Sequence, residues 1–167
     1  VDNGTDYRGQ TMQQLELYHS PLDAVAEAAM HSAFDRLAET QDEDPVLNIE
    51  ARKIYAHRKA GALVWFDFKA LCGGPRSQHD YLEIATQFHT VLLSGVPMMP
   101  PRMSSEARRF TWLVDVLYDR RVKLIISAAV PAHELYTEGQ MVNEFVRTVS
   151  RLHEMQSAEF LALDRRD

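Results

Sequence analysis

The chain passes from a helical period to a strand within a few residues, and that passage limits the folds open to it. From Ser104 to Tyr118, the apolar residues Phe110, Leu113, Val114, Leu117 and Tyr118 recur at helical spacing, so one face is made to pack. Val122-Lys123-Leu124-Ile125-Ile126-Ser127 then follows, a mostly apolar run with β-branched residues that is too short for a helix and predicts a strand covered on both faces. Pro131, placed at a first helical position, predicts one more short turn over Ala132 to Tyr136.

Earlier segments repeat this pattern more loosely. Ser20-Pro21 predicts a helix start, and Leu22, Val25, Ala26, Ala29, Ala33 and Leu37 carry the period to about Glu39, where the acidic stretch Gln41 to Pro45 ends it. Val46 to Arg58 and Ala62 to Phe68 predict an antiparallel hairpin with a polar edge arm and a buried inner arm. Ser77-Gln78-His79-Asp80 has the form of a capping box ahead of Tyr81, Ile84, Ala85 and Phe88, and Thr90 to Ser94 predicts the next strand. A single final helix is expected from about Met141 to Leu163. Alternating strands and helices predict an α/β fold: a mainly parallel three-layer arrangement of about three core strands plus an N-terminal hairpin arm, with covering helices. Residues 1–45 read as a linker and helical segment, and residues 46–167 as an α/β C-terminal domain.

The net charge of −6 argues against a general nucleic-acid surface, because phosphate binding needs clustered Lys and Arg. No apolar run approaches the roughly 20 residues that span a bilayer. The one cysteine, Cys72, forms no internal disulfide, which is compatible with a reducing compartment. Val1 stands where a start methionine is expected, so the N-terminus reads as a cut.

Ligands in such sheets sit beyond the C-terminal strand ends, here Phe68 to Asp80, Ser94 to Pro97 and Ser127 to Val130. Cys72-Gly73-Gly74-Pro75-Arg76-Ser77 is a strand-to-helix loop with two readings: a tight glycine connection capped by Ser77, or an anion cradle in which Arg76 supplies charge. The chain holds no Gly-x-x-x-x-Gly-Lys-[Ser/Thr] string. Cys72, His79, Asp80 and His89 match no usual zinc spacing, so no metal site is assigned, and no nucleophile-elbow motif accompanies Cys72, Ser94 or Ser127. Arg108-Arg109 and the pair Arg147 and Arg151 can read phosphate or carboxylate through planar forks, or form ion pairs with Glu106, Asp115, Glu144 and Glu154. Arg76 and Arg108 are thus candidates for contact with an anion or a partner. Met98, Met99 and Met103 fit either an adaptable partner surface or core filling.

Several strings resemble the ZapE / AFG-like ATPases. They are Arg76-Ser77-Gln78-His79-Asp80-Tyr81, Phe88-His89-Thr90-Val91-Leu92-Leu93, Val96-Pro97, Glu106-Ala107-Arg108-Arg109-Phe110, Leu113-Val114-Asp115 and Val122-Lys123-Leu124. Ser150-Arg151-Leu152-His153-Glu154-Met155-Gln156-Ser157 resembles that family's Ser-Arg-Leu-x-Glu-Met-Gln-Ser string, and Asp6-Tyr7-Arg8 its Asp-Tyr-Arg. The matches run in order along nearly the whole chain.

The resemblance implies the C-terminal part of an AAA+ type ATPase, used in bacterial division-ring function or, in mitochondria, in membrane-protein turnover, with the bacterial branch closer. It implies ATP and Mg in the full-length protein, with the phosphate loop and acidic metal-binding strand upstream of Val1. This chain alone is then expected to bind no cofactor and to hydrolyse no ATP, and it supplies no catalytic residue of its own. The implied partner is a division-ring filament protein, with self-association in the full-length protein, no nucleic acid and no transmembrane segment. The implied place is the cytoplasm, at the division site, or the mitochondrion in a eukaryote. Within that picture Arg147 and Arg151 are candidates for nucleotide contact, from a lid or a neighbouring subunit. The rival readings are a stand-alone protein-interaction domain without a nucleotide role, and a small-molecule enzyme using the Cys72 to Asp80 loop.

Overall fold

The computed structural model describes residues 10–166. Asp6-Tyr7-Arg8 and most of the polar lead-in therefore lie outside the described residues.

A five-stranded sheet carries the fold. In chain order its strands are β1 (Tyr18–His19), β4 (Arg58–Ala60), β5 (Leu63–Asp67), β6 (Thr90–Val96) and β7 (Lys123–Ala128), arranged β1-β7-β6-β5-β4. All pairings are parallel except that of β4 with β5. Two further strands, β2 (Val46–Ile49) and β3 (Arg52–Tyr55), form a separate antiparallel hairpin.

Strand alternation sorts the core onto two faces. Leu63, Trp65, Leu92 and Ile125 point to one face, which α1 (Ala24–Leu37) covers with Met30, Ala33, Phe34 and Leu37. Val64, Phe66, Val91, Leu93, Leu124 and Ile126 point to the other. There they meet α2 (Phe68–Cys72), α3 (Gln78–Gln87), α4 (Ser104–Arg120) and α5 (Val142–Glu154). Phe110 of α4 is fully buried, with its ring centroid 6.1 Å from that of Phe68 and 5.9 Å from that of Phe145. Emptying such a position costs about 3–5 kcal/mol. Thr148 of α5 donates to Thr111 of α4 at 3.1 Å, so these two buried hydroxyls are satisfied inside the contact between the helices.

The helix-to-strand passage closes tightly. Arg121 sits at φ +60°, Val122 N–H donates to Leu117 O at 2.9 Å and Arg121 N–H to Tyr118 O at 3.2 Å. This is the Schellman pattern with arginine where glycine is usual. Lys123 at the start of β7 is 8% exposed, and its Nζ donates to Leu163 O at 2.7 Å and Phe160 O at 3.1 Å. The buried ammonium thus ties the last helix, α6 (Ala158–Leu161), to the sheet.

Four details differ from the sequence expectation. Helix α1 is capped by Asp23, whose Oδ1 accepts from Ala26 N–H at 2.9 Å, and not by Ser20. Leu15 to His19, which alternates only briefly, supplies an extra edge strand, with Leu17 O accepting from Ile126 N–H at 2.9 Å. The polar hairpin arm divides: only Arg58 to Ala60 pairs with β5, because Glu50 at φ 50° and Ala51 at φ 63° turn β2 back onto β3. The last helix breaks after Glu154, where Ser157 Oγ donates to Glu154 O at 2.6 Å and accepts from Phe160 N–H at 3.2 Å, restarting the helix as α6.

Candidate functional site

The strand ends converge on a pocket of about 260 Å³. Asp67 closes β5, Ser94 lies near the end of β6, Ser127 lies near the end of β7, and Asp23 and Glu27 come from the first turn of α1. This is where a parallel sheet offers a ligand site. A β-bulge shifts the β6–β7 register between Leu93 and Val96, and Gly95 there adopts φ +75°, a conformation other residues rarely hold. Its N–H donates to Ser127 Oγ at 3.3 Å.

A relay of side chains sets the pocket wall. The buried Trp65 Nε1–H donates to Ser94 Oγ at 2.9 Å, and Ser94 Oγ–H donates to Asp67 Oδ1 at 2.8 Å. The indole of the inner face thereby orients a carboxylate at the rim. Three carboxylates and two hydroxyls make a lining that accepts cations or hydrogen-bond donors and repels phosphate. The sequence rule located Ser94 and Ser127 but not Asp67, Asp23 or Glu27. Asp67 carried the one available signal, a carboxylate at the end of an apolar strand run.

The Cys72 to Ser77 loop is built differently. Arg76 Nε donates to Ala70 O at 3.2 Å, Arg109 Nε to Cys72 O at 2.8 Å and Arg52 Nη1 to Pro75 O at 3.0 Å. Three guanidinium groups therefore serve carbonyls in and around the loop. The Ser77 N–H donates to Asp80 Oδ2 at 2.6 Å and the Gly73 N–H to Lys69 O at 3.1 Å. Burial pushes the Cys72 thiol up to about 12, so it stays protonated at neutral pH and is no nucleophile there. Cys72 and Asp80 are buried, His79 is exposed, and His89 bonds Thr90 Oγ1 at 2.8 Å.

Arg147 and Arg151 come together on one acidic partner. Both approach Asp115 of α4, Arg147 Nη2 at 3.5 Å from Oδ2 and Arg151 Nη1 in a short pair with Oδ1. Arg151 also lies over the Tyr118 ring at 4.8 Å. Arg147 is 53% exposed and Arg151 26%, so both reach the surface. Arg108 is exposed on α4. Met98 is exposed, Met99 is buried and Met103 packs against the core, so the methionine cluster divides between surface and interior.

Comparison with known proteins agrees with the strings along the chain. Residues 1–164 match the family model described as AFG1-like ATPase. The chain is 44% identical over 162 residues to the protein named cell division protein ZapE of Escherichia coli, covering 96% of this chain and 43% of that protein. It is 32% identical over 196 aligned residues to lactation elevated protein 1 homolog B of Danio rerio, covering 96% of this chain and 39% of the relative. A Schizosaccharomyces pombe relative is 31% identical over 141 residues, covering 81% of this chain and 31% of its own length. The chain thus spans less than half the length of these relatives. No solved structure matches it significantly. No helix among the described residues is long and apolar enough to cross a membrane. By the match along nearly its whole length and the identity to these relatives, the chain belongs to the AFG1-like ATPase family.

Proposed function

We propose that the chain is the C-terminal, partner-coupling portion of an AAA+ type ATPase, acting in bacterial cell division by binding and remodelling a division-ring filament protein. The observation that carries this reading is the 44% identity over 96% of the chain to cell division protein ZapE.

The chemistry of the chain supports a division of labour. The strand-end pocket is acidic, and the chain holds no Gly-x-x-x-x-Gly-Lys-[Ser/Thr] string, so we assign ATP and Mg to residues elsewhere in a longer protein. On this reading the chain alone hydrolyses no ATP. Arg147 and Arg151, gathered by Asp115 at the surface of α4 and α5, reach nucleotide held by another part of the protein or by a second copy. Arg108, exposed, and Arg76 are assigned to partner or anion contact. The place of action is the cytoplasmic face of the division site.

The test compares this 167-residue chain with the protein extended to the length of its bacterial relative. ATP turnover and co-sedimentation with filaments of the division-ring protein are read for both. Turnover is expected only in the longer protein, with filament binding by that protein. A longer protein that neither hydrolyses ATP nor binds filaments sinks the reading in favour of a stand-alone interaction domain. Turnover by the short chain contradicts the assignment of nucleotide to other residues.

A further inference from the structure

Beside the strand-end pocket, α1 and the turn after β3 bring three metal-ligating side chains together. Glu27 and His31 lie one helical turn apart on α1, with His31 Nε2 3.3 Å from Glu27 Oε1. His57, from the turn between β3 and β4, joins them, and the three candidate donor atoms all lie within 4.8 Å of one another. Donors held about 2.0–2.1 Å from a tetrahedral zinc ion stand about 3.4 Å apart. The Glu27–His31 pair already has that spacing, and the His57 donor atom stands within 4.8 Å of both.

We propose that Glu27, His31 and His57 bind a divalent transition-metal ion of the zinc class. Two imidazoles and one carboxylate suit Zn²⁺ or Co²⁺, whereas Mg²⁺ and Ca²⁺ call for all-oxygen sets. Three protein ligands leave a fourth position for water or a ligand atom. Because Glu27 also lines the strand-end pocket, the ion would sit at the pocket's rim.

The surroundings hold the ligands without filling the site. The His31 ring centroid lies 4.6 Å and the His57 centroid 4.4 Å from that of Trp65, which fixes both rings against the sheet. His57 N–H donates to Trp65 O at 2.6 Å, anchoring its backbone. The neighbouring cation, Arg58, is engaged by Asp42 at 2.9 Å and by Asp35 at 2.8 Å, so its charge is largely balanced. Its hydrogen-bond contact with His31 Nδ1 is 3.4 Å, longer than those it makes to Asp35 and Asp42. Coordination through Nε2 places a proton on Nδ1 and gives up that contact while the carboxylate pairs remain.

Trp65 makes the site observable. In a tag-free chain carrying Trp112→Phe, Co²⁺ is titrated while Trp65 fluorescence and visible d–d absorption are followed, and Zn²⁺ is added in thermal unfolding. Saturable quenching, tetrahedral or five-coordinate Co²⁺ absorption and a Zn²⁺-dependent rise in Tm are expected. His57→Ala and Glu27→Gln, both at exposed side chains, are expected to weaken Co²⁺ binding at least tenfold. His133→Ala, at an exposed histidine outside the site, is expected to change nothing. Absence of saturable quenching by Co²⁺, or quenching that His57→Ala leaves unchanged, overturns the proposal. An equal loss in His133→Ala does the same.

Discussion

The Nη2 of Arg52 lies 2.7 Å from both carboxylate oxygens of Asp80, whose side chain is wholly buried in the first turn of α3. This pair ties the β2–β3 hairpin to the helix that follows the Cys72 to Ser77 loop. Burial acts to raise the Asp80 pKa, but the Ser77 N–H and the Arg52 guanidinium outweigh it and hold the carboxyl below its ordinary value. A depressed carboxyl stabilises the fold above the ordinary carboxylate range, and the contribution is lost as pH falls through the folded-state value. Arg52→Ala strands a buried charge and is expected to cost about 2–3 kcal/mol at pH 7, at the low side because Arg52 is half exposed. Asp80→Asn, which keeps an acceptor for Ser77, is expected to cost about 1 kcal/mol. Urea unfolding from pH 3 to 7 checks both. The Arg52→Ala deficit shrinks as acid neutralises Asp80; a deficit independent of pH means that Arg52 does not act through the Asp80 charge.

Ser94 links the inner face of the sheet to the pocket rim. Ser94→Ala leaves the buried Trp65 Nε1–H without its acceptor and frees Asp67 from its donor. The expected cost is about 1–3 kcal/mol, since an unsatisfied buried donor forfeits its solvation. Ser94→Thr, which keeps the hydroxyl, is expected to recover most of it. Thermal unfolding with near-ultraviolet circular dichroism at the indole bands reads the effect, and an unperturbed Trp65 band in the alanine variant refutes the relay.

At Arg121 the chain holds φ +60° with a side chain that disfavours it. Arg121→Gly removes that strain while retaining both backbone bonds of the Schellman closure. Stability is expected to rise by about 0.5 kcal/mol, because relief in the folded state exceeds the added freedom of the unfolded chain. A fall in the denaturation midpoint would show instead that the arginine side chain stabilises this corner.

What the sequence made legible follows from where its signals lie. Ile125, Ile126, Leu92, Leu93 and Trp65 sit in continuous apolar runs, so β5, β6 and β7 could be read as buried strands before any pairing was known. The Ser77 to Asp80 string also marked its helix start, and Asp80 does accept from Ser77 N–H. The turns were opaque for a shared reason. Glu50, Ala51 and Arg121 hold positive φ without the glycine or asparagine that advertises it. β1 spans only Tyr18–His19, too short for periodicity to register, and tertiary pairing with Ile126 and Ser127 creates it. The pocket was half visible, since strand ends are predictable whereas the approach of Glu27 from α1 depends on how that helix packs. The same holds for Glu27, His31 and His57, which meet only through the position of α1 against Trp65.

The two arginines at Asp115 are held to different degrees. Arg151 is the more enclosed, in a short pair with Asp115 and over the Tyr118 ring, whereas Arg147 is half exposed and 3.5 Å from the same carboxylate. Arg147 can therefore leave Asp115 at little cost, because a long, exposed pair contributes at most about 0.5 kcal/mol. Arg151 then keeps Asp115 balanced while Arg147 turns outward. In the longer ATPase, Arg147→Ala is expected to lower ATP turnover by about 10³-fold, the scale of a phosphate-reaching arginine, without changing the Tm of this chain. Arg151→Ala is expected to lower both turnover and Tm, and Asp115→Asn to release the pair and leave turnover near that of the unmodified protein. Steady-state turnover and thermal unfolding of the three variants decide the matter. Turnover unaffected by Arg147→Ala removes that residue from the nucleotide and leaves the pair as a brace between α4 and α5.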